Sequence, residues 1–162
     1  MNVQRLFTIV ILVLPEICFA QTFKALEFKS KEDYARYETE IMDMSDYLLK
    51  TAVDDQSDDT KIAFQNVFKW MQGTPDHGFQ LDESITNITK HNAELLVPLL
   101  ASMTSYVLHL KEKTDASDVK LNSFGLFLTY CENDKHAVKM NKELKKALAA
   151  KEKGELRRYL IL

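Results

Sequence analysis

The sequence predicts an all-α protein, an irregular bundle of about five to six helices arranged as helical hairpins. Only four of the 162 residues are glycine and three are proline, so few positions interrupt a helix. Apolar residues recur at helical spacing through most of the chain, and no stretch alternates as a half-buried strand would. Residues 95–110 are apolar around most of the helical circumference, which predicts a core helix covered on several sides.

The N-terminus predicts an export signal. Arg5 precedes an apolar run, residues 6–14, that is too short to span a membrane. Small residues stand at the two positions that a signal peptidase reads before a cut after Ala20. We therefore expect residues 1–20 to be a cleaved signal peptide and the remaining chain to be periplasmic or secreted.

Cysteine usage narrows the compartment. Cleavage after residue 20 would leave Cys131 alone, so no internal disulfide could form. Small extracellular domains of animals usually carry such bridges, which favours a bacterial periplasm or envelope for this chain. Cys131 stands on an apolar helix beside Glu132, and this setting predicts a small core residue rather than a reactive thiol.

The first elements follow from local patterns. Residues 21–29 contain apolar side chains without a helical period, which predicts an extended N-terminal arm that lies on the domain. A single helical domain is expected over residues 30–162. Its first helix begins at Ser30, which forms a capping box with Asp33, and runs to about Ala52.

An acidic linker, residues 54–59, comes next. A calcium loop is disfavoured there because the glycine turn and the distal glutamate of an EF-hand are both absent. The preferred interpretation is that these residues cap the following helix, about Asp58 to Gln72. Gly73 in a left-handed conformation and Pro75 behind it are expected to end that helix.

The second half of the chain predicts a short helix capped by Asp82, the core helix, and then two more helices. Residues 117–132 are heavily apolar and should pack along the core helix, with Gly125 admitting a neighbouring backbone. The last long helix should begin at Asn133 or Asp134 and end at Gly154. Its apolar stripe is narrow: Ala137, Met140, Leu144, Ala147 and Leu148.

A search for catalytic chemistry finds no constellation. The sequence contains no glycine-rich phosphate loop, no paired zinc-ligand spacing and no nucleophile elbow. Ser105 and His109 stand four residues apart on the core helix and could pair, but such polar strips more often face solvent or a neighbouring helix. We therefore assign no catalytic residue, no metal site and no cofactor.

Residues 70–79 are the most distinctive local string, Trp-Met-Gln-Gly-Thr-Pro-Asp-His-Gly-Phe. The preferred interpretation is a structured helix exit with Phe79 tucked beneath Trp70. The alternative is a binding loop that presents polar groups to a pocket between this loop and the core helix. The candidate binding residues are Trp70, Asp76, His77, Phe79 and His109.

Together with Phe-Ala-Gln at the export site, this string resembles an uncharacterised family of small exported helical proteins from Bacteroidota-type bacteria. The resemblance rests on residues 18–21 and 70–79, with helical patterning between them. It implies export and an all-helical fold, and it brings no activity, ligand or catalytic residue.

Charge is divided unevenly along the chain. Residues 135–158 contain nine Lys or Arg and three Glu, whereas residues 21–134 contain eleven basic and twenty acidic side chains. The preferred interpretation is a solvated helix face whose stripe packs on the bundle. The alternative is weak contact with anionic lipid headgroups. The lysines that would make this contact are Lys139, Lys142, Lys145 and Lys146.

These patterns predict an exported, non-enzymatic helical interaction or accessory domain of the bacterial periplasm or envelope, acting on a protein partner of unknown identity. One alternative is a small-molecule-binding protein or enzyme with a pocket near residues 70–79. Another is a peripheral membrane-surface protein that uses the basic C-terminal helix. Nucleic acid is not an expected partner of an exported chain.

Overall fold

The computed structural model describes residues 22–90, 92–110 and 115–162. Within these ranges the protein is built from helices and contains no strand, so the predicted all-α class is confirmed. The predicted signal peptide, residues 1–20, lies outside the described residues. In the described ranges no helix combines the length and the apolar character needed to cross a membrane.

The second and third α-helices pack against each other as a hairpin, as do the fifth and sixth, and the core helix packs against three other α-helices. Two short 3-10 helices, Ala93–Leu95 and Asp134–His136, interrupt the α-helical order. The α-helices in the described ranges are α1 (Lys31–Arg36), α2 (Glu38–Leu48), α3 (Asp58–Gly73), α4 (Glu83–Thr89), α5 (Leu96–His109), α6 (Ala116–Glu132), α7 (Lys142–Glu152) and α8 (Leu156–Tyr159).

Helix α5 is the predicted core helix, and it contributes to two apolar clusters. Leu99 belongs to a cluster with residues of α4, α6 and α7, while Ala101 and Val107 belong to a cluster with α2 and α3. Every residue from 98 to 105 is buried. A helix with so little polar surface has to be covered on several sides, and the two clusters provide that cover.

The serines and the threonine of α5 face neighbouring helices rather than solvent, whereas His109 at the end of the helix is exposed. Ser102 and Thr104 are fully buried, and Ser105 is nearly so. The Ser102 hydroxyl donates to the Leu99 carbonyl oxygen at 2.8 Å, which satisfies it inside the helix. Within the part of the chain that the structure describes, the Thr104 hydroxyl has no hydrogen-bond partner.

The single helix predicted from Ser30 to Ala52 is wrong in its continuity and its end. The capping box of Ser30 and Asp33 is present, but Tyr37 leaves helical geometry and divides the segment into α1 and α2. The Tyr37 ring lies edge-on against Phe28, with ring centroids 5.7 Å apart. Packing against the segment before α1 therefore accompanies the break.

The structural roles predicted for two glycines are wrong. Gly73 is the last residue of α3 and not a left-handed cap, because Thr74 continues directly into extended backbone. A Cβ atom added at Gly125 would meet nothing within 4 Å, so the predicted close approach of a neighbouring backbone is wrong.

The predicted helix start at Asn133 is also wrong, since α7 begins nine residues later. Ala137 adopts a left-handed backbone with φ of 55°, which ends the 3-10 turn, and the Asn141 side chain caps α7. Val53 donates its N–H to the His136 carbonyl at 2.9 Å and so holds the turn from outside. Of the predicted stripe, Leu144 and Ala147 are buried, Leu148 is partly buried, and Ala137 and Met140 are exposed.

Lys120 of α6 is a buried ammonium that ties three elements together. Its Nζ donates to the carboxylate of Asp82, the N-cap of α4, and to the Leu160 carbonyl at 2.9 Å. Burial raises the pKa of the Asp82 carboxyl, but hydrogen bonds from Lys120 and Ser84 outweigh it and hold this pKa below its usual range. The carboxyl is therefore ionised wherever the domain is folded near neutral pH.

We expect Asp82→Asn to destabilise the domain more than Lys120→Met. Loss of the carboxylate leaves a buried ammonium without its counter-charge, at a cost of about 3 kcal/mol. Loss of the lysine leaves a carboxylate that is 48% exposed and that water can solvate, so about 1 kcal/mol is expected. Urea titration gives both free energies of unfolding, and equal losses would contradict this account.

The same ion pair predicts acid sensitivity. Because the folded-state pKa of Asp82 is lowered, its contribution to stability is present above the unfolded value, 3.8, and is lost as pH falls through the folded pKa. The difference in unfolding free energy between the wild type and Asp82→Asn should therefore shrink below about pH 4. A difference that stays constant down to pH 2.5 in chemical denaturation would speak against this pair.

Candidate functional site: the arm groove

Residues 22–29, which we call the arm, contain no helix or turn and pack against the α2–α3 hairpin. We call the part of the hairpin that the arm covers the arm groove. Phe23 and Leu26 are buried in the same apolar cluster as α2 and α3, whereas Lys24, Ala25 and Glu27 are exposed. The arm thus buries some of its side chains in the hairpin and leaves those between them in solvent, as a bound peptide does.

Asn66 of α3 holds the arm by its main chain. Its Oδ1 accepts the Leu26 N–H at 2.9 Å, and its Nδ2 donates to the Lys24 carbonyl at 2.9 Å. The Asn66 side chain is 1% exposed, and its Nδ2 also reaches the Met44 sulfur at 3.4 Å. The two arm bonds satisfy both ends of the carboxamide, which a buried polar side chain requires.

A second side chain of α3 binds the arm one step earlier. Asp59 accepts the Phe23 N–H at 3.1 Å. Seven residues of helix, from Asp59 to Asn66, rise about 10.5 Å, and three residues of extended chain, from Phe23 to Leu26, span about 10 Å. The arm and α3 therefore run in register, with one arm amide at each end of two helical turns.

Aromatic rings continue this contact towards the end of α3. Phe28 stacks on Tyr34 with ring centroids 4.8 Å apart. The Tyr34 carbonyl accepts the Trp70 indole N–H at 3.1 Å, and the Tyr34 ring lies directly over Gly73. A Cβ atom at Gly73 would stand 2.0 Å from the Tyr34 hydroxyl oxygen, so only glycine leaves room for this ring.

The 70–79 loop lies beside this aromatic contact. Trp70 is fully buried, and its ring contacts His77 and Phe79 at centroid distances of 5.5 and 6.1 Å. Asp76, in the same loop, is exposed. The loop thus has the geometry of a packed helix exit, and His77 additionally lies 3.8 Å from the Glu38 carboxylate.

His109 lies in a different place from the 70–79 loop. Its Nε2 is 3.4 Å from the Asp46 carboxylate of α2, whereas His77 is near Glu38 at the start of the same helix. These two partners are eight residues apart, which is about 12 Å along the helix axis. The structure therefore groups Trp70, His77 and Phe79, and it leaves His109 apart from them.

The Ser105–His109 pair exists, but its hydrogen bonds do not have the order of a nucleophile and base. The Ser105 hydroxyl donates to Asp46 at 2.7 Å, and the His109 Nδ1 lies 2.8 Å from the Ser105 main-chain carbonyl, to which it donates. In a nucleophile–base pair the histidine accepts the hydrogen bond of the serine hydroxyl, whereas this hydroxyl donates to the Asp46 carboxylate. The cluster joins the end of α5 to α2.

Cys131 is buried in α6. Burial, followed by the negative charge of Glu132, raises the pKa of the Cys131 thiol to about 12. Because the thiolate is the reactive form, this environment suits a core residue.

A cavity of about 180 Å³ opens away from the predicted loop. It lies between residues 51–56 and the starts of α3 and α5, with Val97 and Phe64 on its apolar wall and Glu94 at its lining. None of the five predicted binding residues lines it. Among the described residues, no group of three or more His, Cys, Asp or Glu side chains is placed to hold a metal ion.

The basic residues near the C-terminus are partly engaged. Lys146 pairs with Glu143 at 2.8 Å, and Lys151 pairs with Glu132 of α6 at 2.6 Å. The four lysines predicted to meet lipid are exposed: Lys139, Lys142, Lys145 and Lys146.

Comparison of the chain with protein-family models, with curated proteins and with solved structures gave no match. The resemblance to small exported helical proteins therefore stays a prediction.

Sequence reasoning missed the two side chains that hold the arm. Asn66 is a polar residue among the buried positions of α3, which include Ala63, Val67 and Trp70. A polar residue in such a place is the signal that could have been used, because a buried carboxamide needs partners from outside its own helix. Asp59 repeats the same face two turns earlier.

We expect Asn66→Ala to release the arm main chain. The Leu26 N–H loses its acceptor, so its amide hydrogen exchange should accelerate at least tenfold, and the domain should lose about 1–3 kcal/mol of stability. Gln65→Ala, at the exposed neighbouring position, is the matched control and should leave the exchange rate unchanged. Unchanged protection of Leu26 in Asn66→Ala would show that the arm is held by other means.

We expect Gly73→Ala to displace the Tyr34 ring and to weaken its stacking on Phe28. The loss should be about 1–3 kcal/mol, the usual cost of inserting a carbon atom into a packed contact. Gly125→Ala is the matched control, because a Cβ there meets open space and alanine favours the helix. Thermal unfolding that ranks Gly73→Ala as stable as the wild type would contradict the contact.

Proposed function

We propose that this chain is an exported, non-enzymatic interaction domain of the bacterial periplasm or envelope that binds an extended segment of another protein. One observation carries the proposal: Asn66, a buried side chain of a helix, binds the main chain of an extended segment on both its donor and acceptor sides. Helical domains seldom need such a group for their own helices, whose main-chain bonds are internal.

Main-chain recognition suits a binding role. The residues between the buried arm positions, Lys24 and Ala25, face solvent, so the groove tolerates different side chains there. Hydrogen bonds to peptide N–H and C=O groups supply affinity, while the apolar surroundings of the buried side chains supply selectivity. The same division of labour occurs in known modes of peptide recognition.

The polar cluster on α5 supports a non-enzymatic role for that region. The Ser105 hydroxyl donates a hydrogen bond to the Asp46 carboxylate, and the His109 ring is hydrogen-bonded to its own helix. The basic helix α7 likewise buries Leu144 and Ala147 against the bundle, which removes the apolar stripe that a membrane-surface helix would insert.

Photo-cross-linking in bacterial cells that express the full-length chain tests the proposal. A photoreactive residue at Gln72, which is exposed beside the groove, should give an adduct with another exported protein, and the recovered chain should begin at Gln21. The same residue at Ala149, exposed on α7, is the control and should give no such adduct. An uncut cytoplasmic chain, or identical adducts from both positions, would contradict the proposal.

A further inference from the structure

We infer that the arm groove selects one pattern, an aromatic residue, two variable residues, an aliphatic residue, one variable residue and an aromatic residue, in a segment of a separate exported protein. We also infer that the chain's own arm is the resident competitor for this site. This inference rests on the proposed function and names the partner's chemistry. The pattern is that of residues 23–28, Phe-Lys-Ala-Leu-Glu-Phe.

The first two selective positions are set by burial. Phe23 is 9% exposed, and its ring meets Tyr47 of α2 edge-on, with centroids 5.1 Å apart. Leu26 is 5% exposed and lies in the same apolar cluster as Met44 and Val67. A polar side chain at either position would be buried without a partner, which costs more than a mismatch between two apolar residues.

The third selective position is aromatic because two rings receive it. Phe28 stacks on Tyr34 at 4.8 Å and meets Tyr37 edge-on at 5.7 Å. Offset and edge-on pairs of this kind are favourable beyond the apolar area that they bury. An aliphatic residue at this position would forgo both.

The spacing of the pattern is fixed by main-chain bonds. Asp59 and Asn66 take the N–H groups of the first and fourth positions, and Asn66 also binds the carbonyl of the second. A segment with one residue more or fewer between its aromatic and aliphatic positions could fill only one of the two pockets in this register.

The arm is a competitor that can leave as a unit. It joins the domain at Lys29 and Ser30, whose N–H groups both bind the Asp33 carboxylate at 2.7 and 2.8 Å. Because no helix includes arm residues, the arm can leave without breaking a helical hydrogen bond. An empty groove would expose apolar side chains to water, so one-for-one replacement by a similar segment is favoured over simple release.

The test uses the intact mature chain, residues 21–162, and a fluorescent peptide with the sequence of residues 22–29. Fluorescence anisotropy should show the peptide binding at least tenfold more tightly to the variant Phe23→Ser/Leu26→Ser than to the wild type, because the weakened arm no longer occupies the groove. The matched control Lys24→Ser/Ala25→Ser changes only exposed arm positions and should bind as the wild type does.

Two further binding measurements test the groove and the sequence pattern. Adding Asn66→Ala to the weakened-arm variant should reduce peptide affinity at least tenfold. A peptide with serine at its first aromatic and its aliphatic positions should not bind. Equal binding to all variants, or equal binding of both peptides, would overturn the inference.

Hydrogen exchange on the wild type keeps the test decisive if the weakened-arm variant fails to fold. Excess peptide should accelerate exchange of the chain's own Leu26 amide by displacing the arm, and no acceleration at saturating peptide would overturn the inference. Dimers of the wild-type chain in light scattering would identify a second copy's arm as the occupant and overturn the assignment to a separate partner.

The two proposals fail separately. Adducts at Gln72 in cells that persist when Asn66 is replaced by alanine would leave the interaction role intact and remove this groove as its site. Peptide binding with no adduct in cells would support the groove's selectivity and contradict the proposed role in the envelope.

Discussion

The structure depends on the need to cover a helix that is apolar nearly all the way round. Helix α5 buries Leu99 in one cluster and Val107 in another, so elements must pack on opposite sides of it. The α2–α3 hairpin covers one side and α6 covers another. Two helices packed side by side leave a groove along their line of contact. The arm fills this groove on the α2–α3 hairpin with Phe23 and Leu26. Each buried side chain of this size contributes about 1.5–3 kcal/mol.

Each described end of the domain is held by a buried polar side chain of a helix, a different one at each end. Asn66 binds the main chain of the arm, and Lys120 binds the Leu160 carbonyl just after α8. Each bond joins residues about forty positions apart, with a polar atom that apolar neighbours shield from water. Apolar contact alone would let these segments slide, whereas a buried hydrogen bond permits one register.

The helices with the strongest hydrophobic periodicity could be predicted from the sequence. The core helix and the apolar helix after it were predictable, because a helix that is apolar around most of its circumference has to be buried. Phe127 on the second of these helices is buried as expected. The breaks at Tyr37 and Ala137 were not predictable, because both residue types are compatible with a helix locally. The contacts beside them, Phe28 on the Tyr37 ring and the Val53 N–H on the His136 carbonyl, come from other segments of the chain. Propensity does not encode such tertiary effects.

The candidate site shows the same division. The 70–79 loop stood out because glycine, proline and histidine are conspicuous, and the structure packs Trp70 against His77 and Phe79. The apolar neighbours of Asn66 on α3 indicate that its carboxamide is buried, but they cannot identify its partners, which lie about forty residues earlier in the chain.

The register of the arm on α3 also limits how the chain can change in length. A single residue inserted between Asp59 and Asn66 would turn the second about 100° around the helix relative to the first. Insertions that preserve both contacts with the arm are therefore expected outside these two turns, in the loops on either side of the helix.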